Sequence, residues 1–194
     1  MPRKKEFDEY EVLHRAMEIF WHKGYEATSV QDLVDQMGIN RGSLYGTFSD
    51  KRALFLAAIQ YYDQTIVTAV VRVLQSPGSP RAAIENYVRS VAEGAAQDRD
   101  RTGCFLTNSA VEVGPHDSEA EQRLKASLQR IEAAFLDALI AARQMGELGT
   151  RRDLRDMARF LTSSLQGLRV MARVNPDRDA LRAVADIIIA SLDS

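Results

Sequence analysis

The chain has 194 residues, 45% of them hydrophobic and 27% charged, a length and balance that allow one or two packed domains with a substantial core. Its formal net charge is −2, so overall charge offers no attraction to a polyanion and any nucleic-acid affinity has to come from a local patch. The single cysteine, Cys104, excludes an intrachain disulfide and fits a reducing cytoplasm; no apolar run approaches the roughly 20 residues that span a bilayer, and Arg3, Lys4 and Lys5 are not followed by the apolar stretch of a signal peptide, so no membrane partner is expected.

Helical periodicity runs along the whole chain. The prolines (Pro2, Pro77, Pro80, Pro115, Pro176) fall between periodic segments, and no alternating run is long enough for a sheet. The expected fold class is therefore all-α, with about nine helices. The basic segment Arg3 to Lys5 is either a phosphate- or minor-groove-binding tail or a solvated terminus. The first helix covers roughly Glu9 to Lys23, with Leu13, Ala16, Met17 and Phe20 on its inner face and Gly24 at its C-terminal end. Thr28 and Ser29 offer N-caps for a second helix carrying Val30, Leu33, Val34 and Met37. Gly38 ends it, Asn40 caps a third helix from about Arg41 to Thr47, and a long fourth runs from near Asp50 to about Gln75.

Ser76 to Pro80 is the clearest break. A fifth helix follows to Gln97, then a polar loop from Asp98 to Thr102 and a short helix from about Gly103 to Val113. After Gly114 and Pro115, Ser118 and Glu121 suggest a capping box for a helix reaching about Met145. Gly146 to Thr150 is a turn, and the last two helices cover roughly Asp153 to Val174 and Asp177 to Leu192.

The chemistry concentrates between Thr28 and Lys51. Two short helices joined by Met37, Gly38, Ile39 and Asn40 have the spacing of a helix-turn-helix, whose second helix enters the DNA major groove. In that second helix Leu44 and Phe48 face inward, while Arg41, Gly42, Ser43, Tyr45 and Thr47 face outward. Arg41 can bond a guanine edge in bidentate fashion. Ser43 and Thr47 can bond phosphates or bases, and Tyr45 can lie against a sugar or a thymine methyl. Gly42 costs up to about 1 kcal/mol in a helix, which a close backbone approach to DNA would explain. Lys51, opening the next helix, is expected on a phosphate. Thr28 and Ser29, at the start of the second helix, complete the candidate DNA-binding set.

The string as a whole resembles the TetR family of repressors. The likeness runs from about Ala16 to Phe55: Phe20, Trp21, His22, Lys23, Gly24 and Tyr25, then Thr28, Ser29 and Val30, then Met37, Gly38 and Ile39, then Leu44, Tyr45 and Phe48, then Lys51 and Leu54. Thr47 stands where many relatives carry histidine, and Val34 where alanine is usual. The resemblance implies a homodimer with a DNA-binding domain over residues 1–50 and an effector-binding and dimerisation domain over 51–194, acting on a near-palindromic site. It implies that the last two helices pack against those of a second copy. Leu161, Leu165, Leu168 and Met171, with Ile187, Ile188, Ile189 and Leu192, are stripes that either build that interface or pack inside one protomer.

Gly103 and Cys104, followed by Phe105, Asn108 and Glu112, resemble the sixth-helix signature of the branch typified by NemR and AcuR, where the matching cysteine lies at or near the effector site. A cysteine at a helix N-terminus has its thiolate favoured by the helix dipole, and Arg99 and Arg101 are near in sequence. Cys104 is thus a reactive sensor, a pocket wall or an inert core residue. The expected effector pocket is Cys104, Phe105, Asn108, Glu112 and Phe135. Cys104 with His116 does not make a hydrolase, because no orienting acid or oxyanion loop accompanies the pair. His14 and His22, eight residues apart, do not form an adjacent metal pair. No cofactor, metal or enzymatic activity is expected. The function these residues imply is a ligand-responsive DNA-binding regulator, a repressor released by a small-molecule or electrophilic effector. The rival is a helical binding protein without DNA recognition, against which the polar face from Arg41 to Thr47 argues.

Overall fold

A computed structural model describes residues 8–149 and 151–193, so the basic segment Arg3 to Lys5 lies outside the described residues. Among those residues there are nine α-helical runs and no strand: α1 Glu9–Lys23, α2 Val30–Met37, α3 Arg41–Phe48, α4 Lys51–Leu74, α5 Pro80–Gln97, α6 Phe105–Glu112, α7 Ser118–Gln144, α8 Leu154–Val174 and α9 Arg178–Ala190. A π-helical turn, Asp63–Val67, lies within α4. The chain forms two compact units, one made of residues up to Thr65 together with Phe105–Lys125, the other of Ile66–Cys104 and the chain from Ala126 onward.

Side-chain caps set the helix starts of the first unit. Asp8 accepts from the Tyr10 amide at 2.9 Å, Asn40 from Ser43 at 2.8 Å and Asp50 from Ala53 at 2.7 Å. Ser29 and Asp32 form a reciprocal capping box at 3.0 and 2.9 Å. Gly24 and Gly38 end α1 and α2 with φ of +83° and +69°, a region other residues enter with strain. Phe20, Leu33, Leu44, Leu54, Phe55, Phe105 and Leu106 are buried in this unit's core. On α1 the inner face is Val12, Ala16, Met17, Ile19 and Phe20, with Leu13 only half-buried.

α4 departs from one expectation. Lys51–Leu74 is long and apolar enough, by length and composition, to cross a membrane. Half of its apolar window is buried, and its first half packs closely on α1, the arrangement of a core helix. The cap of α7 also differs by one residue. Asp117 Oδ1, rather than Ser118, accepts from the amides of Glu119 and Ala120, both at 3.1 Å.

In the second unit α5 packs on α8 and α9. Ile84, Val88, Phe135, Leu139, Leu161, Leu165, Leu168 and Ile188 are buried. Arg81 ties its ends together, bonding Asp193 at 2.6 and 2.7 Å and the Glu147 carbonyl at 2.9 Å. Both stripes proposed for a dimer face turn mostly inward within one protomer: Leu161, Leu165, Leu168, Ile188, Ile189 and Leu192 are buried. Met171 and Ile187 of those stripes face outward instead, alongside exposed Phe160, Val170 and Val174 on α8 and Val184 on α9.

Candidate nucleic-acid interface

α3 is eight residues long, so its position depends on two inner anchors, Leu44 and Phe48, which are buried. With those anchored, Arg41, Gly42, Tyr45 and Gly46 are exposed and Ser43 and Thr47 half-buried. Tyr45 is 47% exposed although aromatic, a placement the fold does not require. Arg41 Nη2 donates to Gln31 Oε1 at 2.9 Å, which aims the guanidinium along α2 without neutralising it. Ser29 is exposed at the head of α2.

The two glycines of α3 have different reasons. A Cβ at Gly42 would meet Asn40 Oδ1 at 3.2 Å, a close contact with the helix's own cap. At Gly46 a Cβ would meet nothing within 4 Å. The helix penalty at Gly46 therefore has no intramolecular reason, and the close-approach argument belongs to this residue rather than to Gly42. Its place in the string, on the outward side two residues after Leu44, was the available signal.

Three residues of the expected sites lie elsewhere than anticipated. Thr28 is 1% exposed, and its hydroxyl donates to the Gly24 carbonyl at 2.6 Å, closing the α1–α2 turn rather than facing a phosphate. Lys51 turns inward: Nζ donates to the carbonyls of Tyr25 and Thr28 at 2.8 and 2.9 Å and lies 4.2 Å from the Tyr25 ring centre. Glu112 accepts from the amides of Tyr25 and Glu26, each at 2.9 Å, so both carboxylate oxygens are engaged by the backbone. Partial burial, with the Glu26 charge next, raises the Tyr25 phenol above its ordinary range.

Charge on this unit is largely compensated. Residues 1–50 hold six Lys or Arg against nine Asp or Glu, so this segment has no general basic field. Arg15 pairs with Glu11 and Lys23 with Asp32 at 2.7 Å. The Lys23 ammonium and the Ser29 amide hold Asp32 well below the carboxylate range. Among the described Lys and Arg of α1 to α3, Arg41 alone has no carboxylate partner. Arg52, at the start of α4, bonds Asp117 at 2.6 and 2.8 Å and Glu119 at 3.1 Å.

The expected effector residues are divided between the two units. In the first, Phe105 is buried against Tyr62, Phe55 and Trp21, with ring centres 5.3, 6.1 and 6.3 Å away. Trp21 Nε1 in that cluster is buried with no hydrogen-bond partner among the described residues. Asn108 is half-buried. In the second unit Cys104 is 4% exposed, and the buried Phe135 packs on Tyr87 at 5.8 Å. Surface grooves of about 340 Å³, lined by Arg15, Glu18, Ile19, His22, Lys23 and Gln36, and about 280 Å³, lined by Arg89, Ala92, Glu93, Arg182, Ala185 and Asp186, contain none of the five. Among the described residues no group of three or more His, Cys, Asp or Glu side chains is placed to hold a metal ion.

A capped two-helix motif that presents Arg41, Tyr45 and a bare glycine on its second helix defines a helix-turn-helix DNA-binding protein. Residues 12–58 match the family of bacterial regulatory proteins of the TetR type, and residues 80–188 match the tetracyclin repressor-like C-terminal domain. The chain is 39% identical over 194 residues to the uncharacterized HTH-type transcriptional regulator YezE of Bacillus subtilis (strain 168), covering 100% of both. It is 29% identical over 184 residues to the HTH-type transcriptional repressor ComR of Escherichia coli (strain K12), covering 94% of this chain and 88% of ComR. The solved TetR-family regulator CifR, as a cysteine mutant complexed with 26-bp operator DNA, superposes with a TM-score of 0.84 at 27% identity, over 97% of this chain and 99% of CifR. The reduced form of E. coli NemR has the same fold, with a TM-score of 0.84 at 18% identity over 92% of this chain and 93% of NemR. The chain belongs to the TetR family of transcriptional regulators.

Proposed function

We propose that the protein is a dimeric repressor that reads a near-palindromic operator with α3 and leaves it when a small molecule binds the C-terminal domain, in the bacterial cytoplasm. The observation that carries the reading is the outward face of α3, where Arg41 is aimed by Gln31 and left without a countercharge beside exposed Tyr45 and Gly46. A protein that had lost DNA recognition would have no use for these residues, since α3 is anchored to the core by Leu44 and Phe48. Arg41 supplies direct readout, with Ser43, Tyr45 and Thr47 beside it, and Ser29 reaches phosphate from the α2 N-terminus.

A second copy of the chain is the partner for the exposed stripe of Phe160, Val170, Met171 and Val174 with Val184 and Ile187. Of the effector set, Phe105 and Asn108, and Cys104 and Phe135, remain the proposed contacts. Glu112 leaves the set because its two oxygens are engaged. Cys104 is buried, so an electrophile reaches it only through local opening, and pocket lining is the better-supported role.

The test is fluorescence anisotropy with fragments of the native genome at fixed salt, wild type beside Arg41→Ala. Wild type should bind one or a few fragments selectively, and Arg41→Ala should lose about 1–3 kcal/mol of that binding and relax its sequence preference. Equal selectivity in the two proteins would remove Arg41 from the readout, and no selective binding by a folded wild-type dimer would remove the regulator reading.

A further inference from the structure

The turn from Gly24 to Ser29 joins α1 to the motif and contains backbone groups that neither helix can satisfy. The Thr28 amide bonds the Tyr25 carbonyl at 3.3 Å, and the Ser29 amide bonds Asp32. The Gly24 carbonyl takes the Thr28 hydroxyl. The carbonyls of Tyr25 and Thr28 take Lys51. The amides of Tyr25 and Glu26 donate to the Glu112 carboxylate, 87 and 86 residues away in the chain. A cation from one helix thus holds two of the turn's acceptors, and an anion from another holds two of its donors.

We propose that Glu112 is a positioning residue for DNA binding: its carboxylate, together with the Lys51 ammonium, clamps the α1–α2 turn and thereby fixes the N-terminus of α2 and the platform on which α3 stands. The inference rests on the DNA-binding reading above. Three observations converge on it. The geometry is bidentate, one oxygen per amide, both at 2.9 Å. Gly24 is shaped for it, since a Cβ there would stand 2.9 Å from both carboxylate oxygens. Thr28, whose amide and hydroxyl both fold back into the turn, is the residue immediately before the Ser29 cap. Charge-assisted bonds of this kind are roughly twice as strong as neutral ones, and removing the acceptor leaves the part-buried Tyr25 amide without its partner.

The test uses the full-length protein with Glu112→Gln and Glu112→Ala. Glutamine keeps the shape and one acceptor oxygen but turns an NH2 toward the second amide. Operator affinity should fall in the order wild type, Glu112→Gln, Glu112→Ala, by roughly tenfold at the last step. Arg41-dependent sequence preference should survive, because no base contact is removed. The amide protons of Tyr25 and Glu26 should move upfield and exchange faster in both variants, a signature that general destabilisation would not confine to this turn. Operator binding by Glu112→Ala equal to wild type, or turn amides unchanged by either substitution, would overturn the clamp. A wild type that binds no fragment would instead take down the DNA-binding reading, and with it the purpose assigned to the clamp.

Discussion

The outward face of α3 and the turn between α1 and α2 belong to one compact unit and are built from similar residues, polar side chains with one cation and one or two glycines. They differ in what those residues touch. In the turn, the Thr28 hydroxyl, the Lys51 ammonium and the Glu112 carboxylate all end on backbone atoms of this chain. On α3, Arg41 has one neutral partner, Tyr45 is 47% exposed and Gly46 faces open space. Polar groups whose bonding is complete within the chain hold structure, and polar groups left incomplete on a rigid anchored helix are available to a partner. That distinction separates fold from function here more sharply than residue type does.

The strongest way to break the comparison is Lys51→Met, which keeps length and removes the donor. Two carbonyls lose a charged partner, so stability should fall by about 2–3 kcal/mol in urea unfolding. DNA affinity should fall with it, but the slope of log affinity against log salt should stay the same, because the ammonium is not on a phosphate. A flattened slope with unchanged stability would place Lys51 on the DNA and reverse its assignment. Arg41→Ala is the converse experiment, with the binding loss of about 1–3 kcal/mol stated above. Its folding stability should stay within about 0.5 kcal/mol of wild type, as expected of an exposed residue whose one bond is to an exposed glutamine.

Where partners are local, the sequence is a sufficient guide. Ser29 and Asn40 were legible as caps because each bonds an amide three residues on, and Leu33, Leu44 and Phe48 because helical spacing puts them on the inner faces of their helices. Glu112 and Lys51 were readable only as polar residues at a helix end and a helix start. Their partners lie 86–87 and 23–26 residues away, and periodicity has no access to such pairs. The last two helices show a different limit. Their apolar stripes were plain, but spacing cannot tell that Leu161, Leu165 and Leu168 pack within the protomer while Met171, on the same stripe, stays outside with Phe160, Val170 and Val174. The Ser118 cap was displaced to Asp117 because an aspartate one residue earlier reaches the same amides.

Gly46→Ala acts on a smaller scale, because stability and DNA affinity should change in opposite directions. The added methyl meets nothing within 4 Å, so α3 should gain up to about 1 kcal/mol of stability from the better helix former. If DNA backbone approaches this position, the same methyl should reduce operator affinity while the protein becomes harder to unfold. Gly42→Ala should behave otherwise, since its methyl would stand 3.2 Å from the Asn40 cap oxygen and disturb the helix start before any DNA is present. A Gly46→Ala protein that is more stable and binds with undiminished affinity would return the close-approach role to Gly42.

The smallest expected effect comes from a bonded pair at the edge of the same unit, Arg52 with Asp117, and it tests whether complete internal bonding has an energetic consequence. The Arg52 guanidinium, with the Ala120 amide, lowers the Asp117 carboxyl to about 2, below the ordinary aspartate value near 4. A depressed folded-state pKa stabilises the protein above the unfolded value and loses that contribution as pH falls through the folded one. The gain should therefore be complete above about pH 5 and disappear between about pH 4 and 2. Comparing wild type with Asp117→Asn by urea unfolding isolates it, since asparagine retains the capping oxygen but does not titrate. The two proteins should differ most near neutrality and converge toward pH 2. A difference that stays constant across that interval would mean the carboxylate acts only as a cap and that solvent screening of the half-exposed Arg52 has removed the ionic contribution.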